Sequence, residues 1–107
     1  MIYDFMRVIL FFDLPMITAY ERKIYSRFRK ELIKDGYMML QYSVYCKITN
    51  NRESAINNVR KIKKVLPQNG QIRIMVVTEK QYAKMEIVVG GKSKQEETIT
   101  VDSFISL

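Results

Sequence analysis

Asp13 is the side chain of this sequence that is best placed to do chemistry. It follows an apolar run, residues 8–12, that is rich in Val, Ile and Phe and typical of a strand buried on both faces. Pro15 ends the strand, because proline has no N–H to donate to a neighbouring strand. The carboxylate therefore lies where a buried strand emerges into a loop. It could cap a turn or the next helix, pair with a cation, or bind a metal ion.

The rest of the composition limits which chemistry the carboxylate can support. Histidine is absent and the one cysteine is Cys46, so a Ser-His-Asp triad, a Cys-His pair and a histidine-ligated zinc site are excluded. Any bound metal would be a hard ion with oxygen ligands, Mg²⁺ or Mn²⁺. Mg²⁺ takes about six ligands, so Asp13 would need other groups to complete the site.

Basic side chains on two predicted helices are the second feature with chemical meaning. The formal net charge is +7 at pH 7, and a basic body favours a polyanionic partner, most often nucleic acid. Several of these cations recur at spacings of three or four residues, as on one face of a helix, although a solvated face has the same pattern. They are Arg22, Lys23, Arg27, Arg29, Lys30 and Lys34 in the first helix, and Arg60, Lys61 and Lys64 in the second.

Length and composition indicate one folded domain. The chain has 107 residues and is 48% hydrophobic, enough for a modest core. No apolar run approaches the roughly 20 residues of a membrane helix, and the N-terminus lacks the pattern of a secretory signal. A single cysteine suits a reducing compartment. We therefore expect a cytoplasmic protein.

Periodicity and turn residues predict the elements that position these side chains. Thr18 and Glu21 form a capping box at the start of the first helix, and Gly36 ends it. The predicted order is β-α-β-β-α-β, which is the α+β, ferredoxin-like arrangement of an antiparallel sheet with both helices on one face. The predicted bounds are strand 6–13, helix 18–35, two strands within 37–49 joined near Gln41 and Tyr42, helix 52–66 and strand 71–78.

The first strand presents two apolar faces. Val8 and Leu10 point to one side, and Ile9, Phe11 and Asp13 point to the other. Helices on one side of the sheet can cover only one of these faces, so the other needs a second layer from this chain or from another copy.

The third strand alternates differently from the first. Its alternation predicts a strand with a polar face. One side has Tyr42, Val44, Cys46 and Ile48, and the other has Ser43, Tyr45 and Lys47.

The C-terminal part of the chain is predicted to extend this core. Residues 79–84 read as a turn or short helix, 85–89 as an extra strand, and 98–102 as a further strand after a polar loop. We therefore divide the single domain into a ferredoxin-like core, 1–80, and a C-terminal extension, 81–107.

Four features together resemble the CRISPR-associated Cas-two family, the small subunit that accompanies the CRISPR integrase in spacer acquisition, and more narrowly its type II-A branch. They cover residues 6–91. They are Phe11-Phe12-Asp13-Leu14-Pro15 at the end of the first strand, the basic helix with Glu21-Arg22-Lys23-Ile24-Tyr25, Gly36-Tyr37 followed by Leu40-Gln41-Tyr42-Ser43-Val44-Tyr45, and Val77-Thr78-Glu79-Lys80-Gln81-Tyr82 with Met85 and Gly90.

The resemblance implies an assembly and a site. It implies a homodimer whose sheets pack face to face through Ile9 and Phe11, with the two copies of Asp13 near the dimer axis. In this family the strand-end aspartate is the proposed metal ligand and catalytic residue for phosphodiester cleavage. The family bridges two integrase dimers and holds the double-stranded prespacer DNA. The C-terminal strands are its contact to the integrase, and they place Ile99, Val101, Phe104 and Ile105 in that contact.

These considerations favour a DNA-bridging subunit of the adaptation complex, with metal-dependent endonuclease activity as a secondary function. A basic scaffold can grip phosphates without reading bases. Two alternatives share the fold: a module that stacks RNA bases on sheet aromatics such as Tyr42 and Tyr45, and a toxin-like ribonuclease.

Overall fold

Strand order in the sheet confirms the predicted topology. The computed structural model describes residues 4–92. Its sheet has the order β2-β3-β1-β4, and every neighbouring pair is antiparallel. This is the ferredoxin-like arrangement. The elements are β1 (Met6–Asp13), α1 (Ala19–Lys34), β2 (Met38–Gln41), β3 (Val44–Thr49), α2 (Arg52–Lys63), β4 (Gln71–Thr78) and α3 (Glu79–Ala83).

The hydrophobic core lies between one face of the sheet and the two long helices. Val8 and Leu10 of β1 are buried against Phe28 of α1 and Ile62 of α2. The ring of Phe12 meets Phe28 edge-on, with the ring centroids 5.4 Å apart. The alternation predicted for β1 is therefore confirmed, and both helices cover the same face.

The first helix begins as predicted, whereas the second ends early. The Glu21 N–H donates to Thr18 Oγ1 at 3.0 Å, and Glu21 Oε1 accepts from the Thr18 N–H at 2.9 Å. In α2 the N–H groups of Lys64 and Val65 bond to carbonyls three residues back, which tightens the last turn and ends the helix. The predicted bound at residue 66 is wrong for this reason, and Leu66 is exposed.

The predicted polar face of β3 is the face that lies against the core. Tyr45 is fully buried there; its ring stacks on Phe12 with centroids 5.5 Å apart, and its hydroxyl accepts a hydrogen bond from Arg29 Nε at 2.8 Å. Lys47 Nζ donates to Asn58 Oδ1 at 2.9 Å. Polar side chains are tolerated between the sheet and the helices because side chains on the helices provide their hydrogen-bond partners.

Tyr37 and Tyr45 provide a matched test of buried hydroxyl groups. The hydroxyl of Tyr37 is buried without a hydrogen-bond partner among the described residues, and burial, with the charge of Asp35 second, raises the pKa of this phenol. Tyr37→Phe should therefore leave the free energy of unfolding unchanged or raise it by up to about 1 kcal/mol. Tyr45→Phe loses the bond from Arg29 and should lower it by about 1–2 kcal/mol. Urea denaturation of both variants measures the difference, and a greater loss for Tyr37→Phe would contradict this account.

The second face of the sheet is covered in part by the chain that follows α3. Residues 84–92 form no strand, so the predicted strand at 85–89 is wrong. A strand needs a hydrogen-bonding edge, and this segment instead passes over Ile9 and Met75, leaving a cavity of about 620 Å³ between them. The predicted strand at 98–102 lies outside the described residues.

Candidate functional site

Asp13 is exposed at the end of β1, on the face opposite the helices. Its carboxylate makes no hydrogen bond or ion pair within residues 4–92. The cap of α1 uses Thr18 and Glu21 instead, so the helix-cap interpretation of Asp13 does not hold. The carboxylate is therefore open to a ligand.

Asp13 lines a shallow depression of about 290 Å³, which we call the Asp13 hollow. Strand register decides which side chains share it. Asp13 pairs with Gln71 and Phe11 pairs with Arg73 across β1 and β4, so Arg73 lies on the same face as the carboxylate. The hollow is lined by Phe11, Phe12, Asp13, Tyr42, Ser43, Val44, Gln71 and Arg73.

The β2–β3 turn forms one wall of the hollow in a strained conformation. Ser43 has φ 64°, a left-handed conformation that costs an L-residue roughly 1–2 kcal/mol. Its carbonyl accepts from the Phe12 N–H at 3.1 Å, which ties the turn to β1 beside Asp13. Strain of this kind concentrates at functional sites, and the bond to β1 stabilises it here.

Tyr42 is the most exposed aromatic ring of the hollow. One face of the ring stacks on Tyr25, with centroids 6.3 Å apart and planes at 21°, and its hydroxyl donates to Met16 Sδ at 3.4 Å. The side chain of Tyr25 raises the pKa of Tyr42, first through hydrogen bonding and then through charge. Tyr42 is therefore a neutral phenol at physiological pH, held in place and 70% exposed.

Gly70 positions the backbone of Asp13. Its φ is +98°, and a Cβ atom there would lie 2.6 Å from the Asp13 carbonyl oxygen and 2.8 Å from Leu14 Cδ2. The sequence marks Asn69-Gly70 only as a turn. The close approach to Asp13 depends on pairing between β1 and β4, so only the folded chain reveals it.

The hollow fits a metal ion only in part. Within residues 4–92 no group of three or more His, Cys, Asp or Glu side chains could hold a metal. Among the described residues that line the hollow, Asp13 has the one carboxylate. Mg²⁺ commonly keeps several waters and binds one or two carboxylates together with substrate phosphates. A site of that water-rich kind suits Asp13, provided that a second copy or the substrate supplies further oxygen ligands.

The predicted nucleic-acid-binding residues divide into two groups. All are exposed. Arg22 donates to the carbonyls of Met16 and Ile17, Arg29 bonds Tyr45, and Arg60 bonds Asn57. The side chains of the others make no hydrogen bond or ion pair within the described part of the chain; these residues are Lys23, Arg27, Lys30, Lys34, Lys61 and Lys64.

Arg7 and Glu79 form a buried ion pair that the sequence did not indicate. Arg7 is 3% exposed, with Nε 2.7 Å from Glu79 Oε2 and Nη2 2.9 Å from Oε1. Its guanidinium carbon lies 3.8 Å from the centroid of the Tyr82 ring. Burial acts to lower the pKa of Arg7, but the bonds to Glu79 and Cys46 outweigh it and raise the pKa. The pair fastens α3 to β1 and sets where residues 84–92 leave the sheet.

The predicted interface residues lie on the second face of the sheet. Ile9 is only 5% exposed within one chain, whereas Phe11 is 38% exposed. Phe11, rather than Ile9, therefore offers apolar surface to another copy. The residues predicted to contact the integrase, Ile99, Val101, Phe104 and Ile105, lie outside the described residues, and that contact stays a prediction.

Comparisons with known proteins bear on this site. Residues 6–85 match the family model described as CRISPR associated protein Cas2. Between residues 4 and 92, no helix has the length and apolar character needed to cross a membrane.

Curated relatives carry the same family name. A protein of Treponema denticola, named CRISPR-associated endoribonuclease Cas2, is 49% identical over 102 residues, which is 95% of this chain and 100% of that protein. A protein of Campylobacter jejuni with that name is 49% identical over 87 residues, 81% of this chain but 61% of its own length. One of Ligilactobacillus salivarius is 43% identical over 90 residues, 84% of this chain and 89% of that protein.

Proposed function

Because the chain belongs to the CRISPR-associated Cas2 family, we propose that it is a homodimeric DNA-bridging subunit of the CRISPR adaptation machinery. In this role it holds double-stranded prespacer DNA between copies of the integrase. One observation carries the proposal: α1 presents exposed cations that no acidic side chain of the described chain neutralises.

Phosphate binding explains why these cations are left unpaired. A lysine that already has a carboxylate partner gains little from a phosphate, whereas a free one releases condensed counterions when it binds. Arg27, Lys30 and Lys34 lie three to four residues apart on α1, on neighbouring turns of one side of the helix. Such a surface grips the backbone and does not read bases.

Apolar surface on the second face supports a homodimer. Phe11 and Met75 are exposed beside the cavity, and the segment after α3 exposes Ile87, Val88 and Val89. A contiguous apolar area of this kind marks an interaction site in a folded protein. A second copy with the same face would cover it and would double the number of cations available to a duplex.

Charge reversal on α1 tests the bridging function. Arg27→Glu combined with Lys30→Glu should weaken duplex binding by a similar factor for every sequence. It should also lower the slope of log affinity against log salt by about two for each subunit that contacts the duplex, and so by up to about four in the dimer, because each α1 then neutralises two fewer phosphates. Fluorescence anisotropy with labelled duplexes of unrelated sequence, over a salt series, measures both quantities.

Lys80→Glu is the matched control, since Lys80 is exposed on α3, away from the two basic helices. Two copies of Lys80→Glu in a dimer should change the salt slope less than the α1 double variant does. An equal loss of duplex affinity in both variants would contradict the bridging function. So would a duplex affinity of the unaltered protein that does not change with salt concentration.

Metal-dependent phosphodiester cleavage is the second candidate function. The relatives named above are called endoribonucleases, and the free carboxylate of Asp13 favours the same chemistry here. Mg²⁺ or Mn²⁺, when bound, would activate water and stabilise charge on the phosphate, with Asp13 as the ligand from each chain. Asp13→Asn should retain duplex binding in the anisotropy assay and should lose any metal-dependent cleavage of RNA or DNA, measured on gels with Mg²⁺ or Mn²⁺ added. Cleavage that survives this substitution would exclude the Asp13 hollow as the site.

A further inference from the structure

We infer that the Asp13 hollow is a binding subsite for one unpaired nucleotide, in which the ring of Tyr42 stacks on the base and the guanidinium of Arg73 binds the phosphate. The inference deepens the proposed function, on which it rests for the class of partner, nucleic acid. It adds a recognition element that neither the basic helices nor the carboxylate of Asp13 supplies.

The ring of Tyr42 is prepared for stacking. Its contacts with Tyr25 and Met16 occupy one ring face and the hydroxyl, so the ring is held before any ligand arrives. The side chain is nevertheless 70% exposed, which leaves ring surface open on the side of the hollow. An aromatic ring held in this way loses little conformational entropy when a base stacks on it.

Tyr20 shows that exposure alone is not the distinguishing feature. It is 73% exposed on α1, yet it makes no ring contact within the described residues and lines a different cleft, between α1 and the loop before β4. Tyr42 alone of the two is braced by a second aromatic ring and borders the hollow that contains Asp13.

Arg73 supplies the charge that a phosphate needs. Its side chain is exposed and makes no hydrogen bond or ion pair within residues 4–92. It lines the same hollow as Asp13, yet the two form no ion pair. A free cation and a free carboxylate on one hollow suit a ligand that itself carries an anion, and the forked guanidinium matches phosphate oxygens.

The size of the hollow favours a single nucleotide. Its volume of about 290 Å³ is at the lower end of ligand pockets, which hold roughly 300–1,000 Å³. A base within a duplex has both faces covered by its neighbours, so it cannot stack on Tyr42 unless it leaves the helix. The ligand is therefore a nucleotide of a single strand, a loop or a strand end.

Fluorescence of a stacked base tests this directly. The probe is a single-stranded pentanucleotide with 2-aminopurine at its centre, made as DNA and as RNA and titrated in EDTA so that no metal-dependent cleavage occurs. Stacking on Tyr42 should quench the probe. Tyr42→Leu should remove the quenching and weaken binding about five- to a hundred-fold, whereas Tyr42→Phe and the control Tyr20→Leu should behave like the unaltered protein. The DNA and RNA probes show which sugar the hollow accepts.

Arg73 is tested separately because its side chain is exposed, so its replacement should leave the fold intact. Arg73→Gln should weaken binding of the same probe and lower the salt slope by about one, and Arg73→Lys should restore the slope. Arg52→Gln, an exposed change at the start of α2, is the control. A salt slope unchanged by Arg73→Gln would overturn the phosphate contact even if Tyr42→Leu failed to fold.

The outcome is independent of the bridging function. Arg27→Glu with Lys30→Glu should weaken duplex binding and keep the quenching. If Tyr42→Leu abolishes the quenching but the unaltered protein does not bind duplexes, the result would support the subsite and reject the bridging function. Normal duplex binding with quenching that is absent, or that is equally sensitive to Tyr20→Leu, would overturn the subsite and leave bridging in place.

Discussion

Glu79→Ala is expected to lower the free energy of unfolding by about 3 kcal/mol, the low end of the range for breaking a buried ion pair. The reason is the partner that remains. Arg7 is 3% exposed on the second face of the sheet, and without Glu79 its guanidinium keeps the stack on Tyr82 and the contact of Nη1 with Cys46 Sγ at 3.7 Å. Neither group is an anion, so the charge is left buried and uncompensated. The Glu79 side chain is itself 20% exposed, so we expect a loss of unfolding free energy at the low end of the range for buried ion pairs.

Removing both charges is the control for this prediction. Arg7→Met combined with Glu79→Leu replaces the pair by apolar side chains of similar size and should recover most of the stability that Glu79→Ala removes. Urea denaturation of the single and double variants gives the coupling free energy. A loss below about 0.5 kcal/mol in Glu79→Ala is the value for an exposed pair, and it would show that Arg7 reaches solvent.

The ion pair also has a consequence for the second face. It joins β1 to the first residue of α3 across 72 positions of sequence, and Tyr82 of α3 lies over the guanidinium. The segment after α3 therefore leaves the sheet from a fixed point. Hydrogen exchange in Glu79→Ala should increase first in α3, because its five residues have few other contacts to hold them.

Gly70→Ala is the second change with a large expected effect, a loss of more than about 2 kcal/mol. A β-carbon at this position would lie 2.6 Å from the Asp13 carbonyl oxygen, closer than such atoms approach, and the left-handed φ of +98° adds roughly 1–2 kcal/mol for an L-residue. Because the obstructing atom is backbone, relief requires that the end of β1 move. We therefore expect Gly70→Ala to weaken binding of the 2-aminopurine probe as well.

Two other glycines separate the causes of this loss. Gly36 has φ +92°, but a β-carbon there would meet only the end of the Lys47 side chain, Cε at 3.6 Å and Nζ at 3.9 Å, so Gly36→Ala reports the backbone strain alone. Gly91 has neither a positive φ nor a neighbour within 4 Å, and Gly91→Ala should change stability little. Thermal denaturation ranks the three variants. If Gly70→Ala lost no more stability than Gly36→Ala, the contact with Asp13 would not constrain β1.

Features governed by near neighbours in sequence could be predicted. The capping box of α1 joins residues three positions apart. The apolar side of the same helix includes the buried Phe28 and Leu32, which lie one turn apart. The alternation of β1 follows from the geometry of a strand. Local patterns of this kind, placed in order, were sufficient to predict the ferredoxin-like topology.

Features governed by partners distant in sequence were missed or misjudged. Tyr45 enters the core because Arg29 of α1 satisfies its hydroxyl. Residues 85–89 have the composition of a strand, yet their conformation depends on an edge to pair with, and in a single chain they cross the sheet face instead. The composition of a segment shows whether it can form a strand. Whether it does so depends on the presence of a sheet edge with which it can pair.

The sequence by itself determined that a carboxylate emerges at the end of a buried strand in a basic α+β domain, because apolar runs, turn residues and charge are local properties. Only the tertiary structure decided what surrounds Asp13. The register of β1 with β4 places Arg73 on its face, the turn at Ser43 brings Tyr42 to the rim, and Gly70 lies against its backbone. These neighbours come from strand pairing between distant parts of the chain, and pairing register depends on the packing of the whole sheet.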